Sequence, residues 1–285
     1  MSRLFGYVGN DPDRVACALH PARKLLVANP SASAEAPFDS WGIGFYQGEV
    51  LLQRRPKAPE GPIDFYDVAR QLRTDTIVGH VRSGTVGKPK VENTHPFRFR
   101  SWLFAHHGTS PDFAERVQEP LLAAVPDFLR RNIRGQTDSE HFFHLVLAHA
   151  HEAGKLDDGQ AAPFLLREAI RQALRQIEGW VGAEAWRAAE CALALTNGRV
   201  LITTRHGRPV YYQRIQSITD CPVCREATPA AGRPAKRIDH EHLRAVTVVA
   251  DVPEAPTEKG WHEVPDDSFV VVPHDLTVQV SAIHE

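Results

Sequence analysis

Cysteine is scarce: four in 285 residues, too few for a disulfide framework in a chain of this length. A reducing compartment, the cytoplasm, is therefore the expected setting. No run approaches the roughly 18 apolar residues that a membrane-spanning helix needs. The opening MSRLFGYVGNDPDR carries charge early and has no apolar stretch of signal-peptide length. Excess charge is missing too. The 33 Lys and Arg against 35 Asp and Glu leave a formal net charge of −2, so nothing draws the chain to nucleic acid or to an acidic membrane surface. No GxSxG elbow, Walker loop, HExxH helix or GxGxxG fingerprint occurs, which removes several common enzyme and cofactor-binding classes. Internal repeats are also absent.

What is present reads as an ordinary globular chain, 42% hydrophobic and 24% charged, long enough to bury a sizeable core. Residues 2–9 form a short apolar run before the turn residues Asn10-Asp11-Pro12, predicting a strand at the start of the chain. NPSASAEAPFDS is a loop by composition, and WGIGFYQGEVLLQRR a hairpin turning at Gln47-Gly48. Helical spacing covers 65–73, 113–129 and 163–178. TIVGHVRSG and SWLFAHHG read as strands ending in polar clusters. Thr137-Asp138-Ser139-Glu140 reads as a capping box opening the helix HFFHLVLAHAHEA. CALALTNGRVLITTR is a hairpin whose Asn197-Gly198 suits a type I′ turn, and VYYQRI, LRAVTVVA, SFVVVP and LTVQVSAI add strands. Strands, then helices, then strands predict a layered α+β fold with antiparallel sheets.

Polar clusters punctuate the ends of these elements: Ser2, Asp39-Ser40-Trp41-Gly42, Gly79-His80-Val81-Arg82, Asn93-Thr94-His95-Pro96-Phe97, Ala105-His106-His107-Gly108 and Thr137-Asp138-Ser139-Glu140. Each alone has a plain structural explanation. Asp138 is a first-turn acid favoured by the helix dipole; Arg82 is an ion pair at a strand end; Gly108 is a turn. In this order, however, they resemble the class II glutamine amidotransferases, in particular the small stand-alone branch of these N-terminal-nucleophile amidohydrolases. VVADVPE and GWHEVPDDSFVVV are similar to that branch's C-terminal strands.

The resemblance implies a four-layer αββα sandwich forming a single domain over residues 1–285; within it REATPAAGRPAKRI (225–238), polar and bearing Pro and Gly, reads by composition as a mobile loop insertion. In that family residue 2 is a cysteine whose α-amine, freed by removal of Met1, acts as general base for its own side chain. An α-amine titrates near roughly 7.7–8.0, poised for that task. The resemblance makes Arg82 the clamp for the substrate α-carboxylate, suited to a planar bidentate donor. It makes Asp138 the acceptor of the α-ammonium, and adds Trp41 and Gly42 to the substrate-binding set. His107 and Gly108 fall where the family places the Asn and Gly that donate N–H groups to the oxyanion.

Three positions depart from the family pattern: Ser2 replaces Cys, His107 replaces Asn, and Ser40 replaces the first Gly of Asp-Gly-Trp-Gly. One reading keeps Ser2 as a working nucleophile on glutamine or a γ-glutamyl amide, with His107 donating through a ring N–H. Stand-alone relatives include a hydrolase that removes γ-glutamyl from an ergothioneine precursor, so a small molecule with a free γ-glutamyl group is the implied substrate. A separate ammonia-accepting synthase is the implied partner where ammonia is used. The other reading is a catalytically inactive relative that binds a glutamine-like ligand or a partner protein. An engineered Cys→Ser change would explain Ser2 but not His107.

No cofactor is implied. A separate constellation, Cys221-Pro222-Val223-Cys224 with His240 and His242, has the ligand types for tetrahedral Zn²⁺, although its His-x-His spacing is short and a reduced turn explains it equally well. Cys17 and Cys191 read as core cysteines. His141, His144, His149 and His151, at helical spacing, read as solvated or core-edge.

Overall fold

Alternation within each strand builds the fold. In β1 (Arg3–Gly9) the side chains of Phe5 and Tyr7 enter one apolar cluster, while Leu4 and Val8 enter another on the opposite face. A strand buried on both faces needs a layer on each side, and the rest of the chain supplies them. The structure, a computed structural model, describes residues 3–29, 38–57, 60–84, 87–158, 162–227, 237–252 and 254–284, with the side chains of 226 and 227 excluded. The further strands are β2 (Val27–Ala28), β3 (Ser40–Gln47), β4 (Glu49–Arg55), β5 (Ile63–Asp64), β6 (Thr76–Arg82), β7 (Phe97–Phe99), β8 (Trp102–Gly108), β9 (Cys191–Thr196), β10 (Val200–His206), β11 (Val210–Ile215), β12 (Ala245–Ala250), β13 (Trp261–Glu263), β14 (Ser268–Pro273) and β15 (Gln279–Ala282).

Seven of them form one antiparallel sheet in the order β13-β11-β12-β1-β6-β3-β4, and six form a second, β15-β14-β10-β9-β8-β7; β2 and β5 pair separately. Leu4, Val8 and Val78 of the first sheet meet Ala105, Ala194 and Leu201 of the second. The sheets lie close together: a Cβ on Gly6 would come within 2.7 Å of Leu201.

Helices cover both outer faces. On the first sheet, α1 (Val15–Leu19) and α2 (Phe65–Ala69) bury Leu19 and Phe65 against Phe5 and Tyr7. Five residues are too few for a helix to persist alone. Burial of about 1.5–3 kcal/mol per large side chain holds them in place. On the second sheet, α3 (Gln118–Ala124), α4 (Asp127–Arg130), α5 (Asp138–Glu152), α6 (Pro163–Val181) and α7 (Ala183–Ala188) enclose Phe104, Phe142, Phe143, Ile170 and Leu193. A last short helix, α8 (Pro222–Ala227), lies in the β11–β12 connection. The result is the αββα sandwich expected from the sequence. Among the described residues no helix is long and apolar enough to cross a membrane.

Local expectations fail for identifiable reasons. The helical spacing of 113–129 is broken at Val125, which is extended (ψ 124) because it precedes Pro126. The helix expected to reach residue 73 ends at Ala69. Asn197-Gly198 makes no type I′ turn. Thr196 pairs with Leu201, so Gly198 and Arg199 form the loop, and only Gly198 has positive φ. Asn197 instead accepts from the N–H groups of Arg199 and Val200 through its side chain. Most of the loop expected at 29–40, and 228–236 of that at 225–238, lie outside the described residues.

Candidate active site

Three element ends converge on a cleft of about 720 Å³, within the usual size of a small-molecule site. The first is β6. Its even-numbered residues face the second sheet, so Val78 packs between the sheets, and His80 and Arg82 continue the same row into the cleft. The Arg82 guanidinium is buried, ion-paired with Asp39, and donates to the Gly87 carbonyl at 3.1 Å. Asp39 also accepts from the Ser40 hydroxyl at 2.8 Å, which gives the residue replacing the family glycine a role in holding the arginine's partner.

The second is the N-terminus of α5. Thr137 caps it, accepting from the Glu140 N–H at 3.2 Å. The box is only half formed. Glu140 does not reach back to the N-cap but accepts from the N–H groups of Arg134, at 3.0 Å, and Gly135. Asp138 is buried at the cleft wall, where its Oδ2 accepts from the Ser110 N–H and its Oδ1 from the Ser139 N–H, both at 2.8 Å.

The third is the end of β8. His106 turns outward to α5, its Nδ1 2.9 Å from the Ser139 hydroxyl, while His107 turns between the sheets, its Nε2 3.7 Å from Asp251. Gly108, at φ 139, closes the strand. His80 lies between His95 and His107, with ring centroids at 4.2 and 6.1 Å. Among the described residues neither ring nitrogen of His80 or His95 has a hydrogen-bond partner.

The cleft thus brings together Arg82, His107, Gly108 and Asp138. Ser2 lies outside the described residues; the chain is described from Arg3, which is buried and donates to the Asp251 carbonyl at 2.7 Å at the cleft's edge. Trp41 and Gly42 do not line the cleft, a correction to the expected substrate set. Trp41 points to the helical side of its sheet and meets Phe65 edge-on, with centroids 6.0 Å apart. Gly42 faces inward, but its role is steric: a Cβ there would sit 2.3 Å from the His95 carbonyl.

Sequence reading missed Arg208, Glu190 and Asp251. Arg208 bridges Glu190 at 2.8 Å and Asp251 at 2.6 Å on the cleft wall. VVADVPE resembles the family's C-terminal strands, but only the pairing of β12 with β1 shows which of its residues reaches the site.

Burial governs the electrostatics. It holds His80, His95 and His106 below the ordinary histidine value and His107, also beside Arg208 and His106, at about 3. His141 and His144, expected to be solvated or core-edge, are buried and donate to the carbonyls of Thr137 and Glu140; burial lowers both, His144 to about 4. A depressed folded value means that the unfolded chain binds more protons below pH about 6.5, so stability falls as pH drops through that point. His206 opposes this: burial lowers it, but its hydrogen bonds to Asp267 and the Trp186 carbonyl, with the charges of Asp267 and Asp266, together raise it. Burial also raises the Glu140 and Asp251 carboxyls, which opposes the loss as pH falls through their raised values. The melting temperature should therefore be lower at pH 5.5 than at pH 7.5. Calorimetry showing no change or the reverse would refute buried neutral histidines.

Two antiparallel sheets between helical layers, with a cleft at the strand ends and the chain's first strand leading to it, define the N-terminal-nucleophile hydrolase fold. The family model described as "Glutamine amidotransferases class-II" matches residues 1–275; the chain belongs to this family. It is 35% identical over 114 residues to the gamma-glutamyl-hercynylcysteine sulfoxide hydrolase of Mycobacterium tuberculosis, covering 38% of this chain and 49% of that protein. It is 30% identical over 129 residues to a glutamine–fructose-6-phosphate aminotransferase (isomerizing) of Bradyrhizobium diazoefficiens, covering 44% of this chain and 20% of that protein. The matches span about half or less of these curated relatives. Among solved structures, a glutamine aminotransferase class-II domain protein from Silicibacter pomeroyi aligns with TM-score 0.55 at 18% identity, covering 99% of each chain. A predicted glutamine amidotransferase from Pseudomonas aeruginosa PA01 aligns with TM-score 0.57 at 20% identity, covering 98% of this chain and all of that one. Both likenesses concern the fold.

Proposed function

We propose that this protein hydrolyses the side-chain amide of glutamine or of a small γ-glutamyl conjugate, with Ser2 as nucleophile. The observation that carries the reading is that one cleft is lined by Arg82, Asp138, His107 and Gly108 together. A free γ-glutamyl group carries an α-carboxylate and an α-ammonium on one carbon. A guanidinium and a carboxylate in one cleft match that pair. Arg82 already holds Asp39, and the substrate carboxylate joins it on a fork of five N–H donors.

In this mechanism the Ser2 hydroxyl adds to the amide carbonyl as its proton passes to the freed α-amine. The tetrahedral oxyanion takes an N–H from Gly108 and one from the His107 ring, which is neutral at working pH and keeps one ring N–H to donate. Collapse expels ammonia or an amine carrying the proton; water then repeats the sequence on the ester and releases glutamate. The implied setting is the cytoplasm, and a separate ammonia-accepting synthase is the partner if glutamine is the substrate.

The occupied state of Arg82 favours a second reading, a pocket that holds a glutamine-like ligand without turnover. Kinetics with glutamine and a γ-glutamyl anilide separate the two. On the hydrolase reading glutamate accumulates, and Arg82→Ala raises KM by about 10²-fold, the loss of two charged hydrogen bonds worth roughly 3 kcal/mol together, with kcat changed less. An unchanged KM contradicts the pocket assignment. Absent turnover in a chain lacking Met1, with glutamine binding that Arg82→Ala abolishes, establishes the binding reading instead.

A further inference from the structure

Away from the cleft, past the other end of β1, three cysteines and a histidine from distant parts of the chain meet. Ligand atoms of Cys17, Cys221, Cys224 and His240 all lie within 4.8 Å of one another. The Cys17 and Cys224 sulfurs are 3.5 Å apart, and Cys224 Sγ is 3.3 Å from His240 Nε2. A tetrahedral ion with Zn–S bonds of about 2.3 Å and Zn–N of about 2.0 Å requires ligand separations of roughly 3.5–3.8 Å; the Cys17–Cys224 pair already has that spacing, and no pair is farther apart than 4.8 Å. We propose that Cys17, Cys221, Cys224 and His240 bind one structural Zn²⁺.

The backbone is shaped for it. Ile218 and His240 exchange hydrogen bonds of 3.1 and 2.7 Å, and the Cys221 N–H donates to the Ile238 carbonyl at 2.7 Å, so a closed knuckle presents Cys221 and His240 together. Cys224 follows one turn into α8, on the same face as Cys221. Cys17 comes from α1 beneath. Three thiolates and Zn²⁺ carry one net negative charge, and the Arg14 guanidinium lies 3.7 Å from Cys224 Sγ to offset it. With four protein ligands no position is left for substrate, so the ion is a fastener. It joins the β11–β12 connection to the helix that follows β1. The expected ligand set of Cys221, Cys224, His240 and His242 is thereby corrected: His242 lies outside the group, and Cys17, read from sequence as a core cysteine, completes it.

The test is the metal content of the full chain purified from zinc-supplemented medium under reducing conditions. One zinc per chain is expected in the wild type and in His242→Ala, with loss in Cys17→Ser and Cys221→Ser. A wild type without zinc, a chain lighter by two hydrogens from a Cys17–Cys224 disulfide, or zinc kept in Cys17→Ser but lost in His242→Ala overturns the proposal. Should the cysteine variants fail to fold, Co²⁺ added to the metal-stripped wild type decides. Intense thiolate-to-cobalt charge transfer with tetrahedral ligand-field bands supports the site; the weak spectrum of octahedral oxygen ligation overturns it.

Discussion

Replacing Ser2 with alanine should remove γ-glutamyl amide hydrolysis by about 10³-fold or more, because the step then has no nucleophile and only the oxyanion donors and binding remain. Melting temperature and glutamine binding should change little. The companion variant Ser2→Cys gives the opposite outcome: a thiol is more readily activated than a hydroxyl, so activity is kept or raised. In the wild type the α-amine must be unprotonated to act as base, so kcat/KM should rise with pH and level off above about 8. His107 does not supply that rise, since burial beside Arg208 and His106 holds it at about 3. Stopped assays across pH on the wild type and both variants check the set. Ser2→Ala with wild-type turnover would eliminate the mechanism.

Gly108→Ala should cost both stability and activity. Its φ of 139 lies where residues with a side chain are strained, and a Cβ would stand 2.2 Å from the Glu190 carbonyl and 3.1 Å from His106 Nε2. Overpacking and strain together amount to about 3 kcal/mol or more, a fall in melting temperature on the order of 10 °C. Relief by shifting β8 away from β9 would break the Gly108–Cys191 register and move His107 with it, so kcat should fall further than folding alone explains. Gly154→Ala is the control. It too has positive φ, 68, but open space surrounds it, so only about 1 kcal/mol is expected. Equal losses in the two variants, read by calorimetry, would show that the close approach at Gly108 is unimportant.

The strands that build the cleft were legible because they are buried on both faces and end in polar residues; β1, β6 and β8 fall within a residue or two of their predicted bounds. Arg82, Asp138, His107 and Gly108 each had a plain structural explanation alone; only their order along the chain, through the family resemblance, marked them, and all four line the cleft. What sequence could not give is orientation and long-range company. Trp41 and Gly42 adjoin Ser40 in sequence, yet alternation turns Trp41 to the helical layer and sets Gly42 under the His95 carbonyl. Arg208 and Asp251 reach the wall through pairings between distant segments, and Cys17 looked like core until α8 and His240 were brought beside it. Nothing local marks such residues.

The central claim is that residue 2 is acylated by a γ-glutamyl group held between Arg82 and Asp138. Intact-mass spectrometry of protein quenched during turnover of a γ-glutamyl anilide measures this directly. The expected species lacks Met1 and is heavier by one γ-glutamyl group, which fragmentation maps to Ser2. Brisk turnover with no adduct under any quench time, or an adduct mapped to another residue, would contradict it.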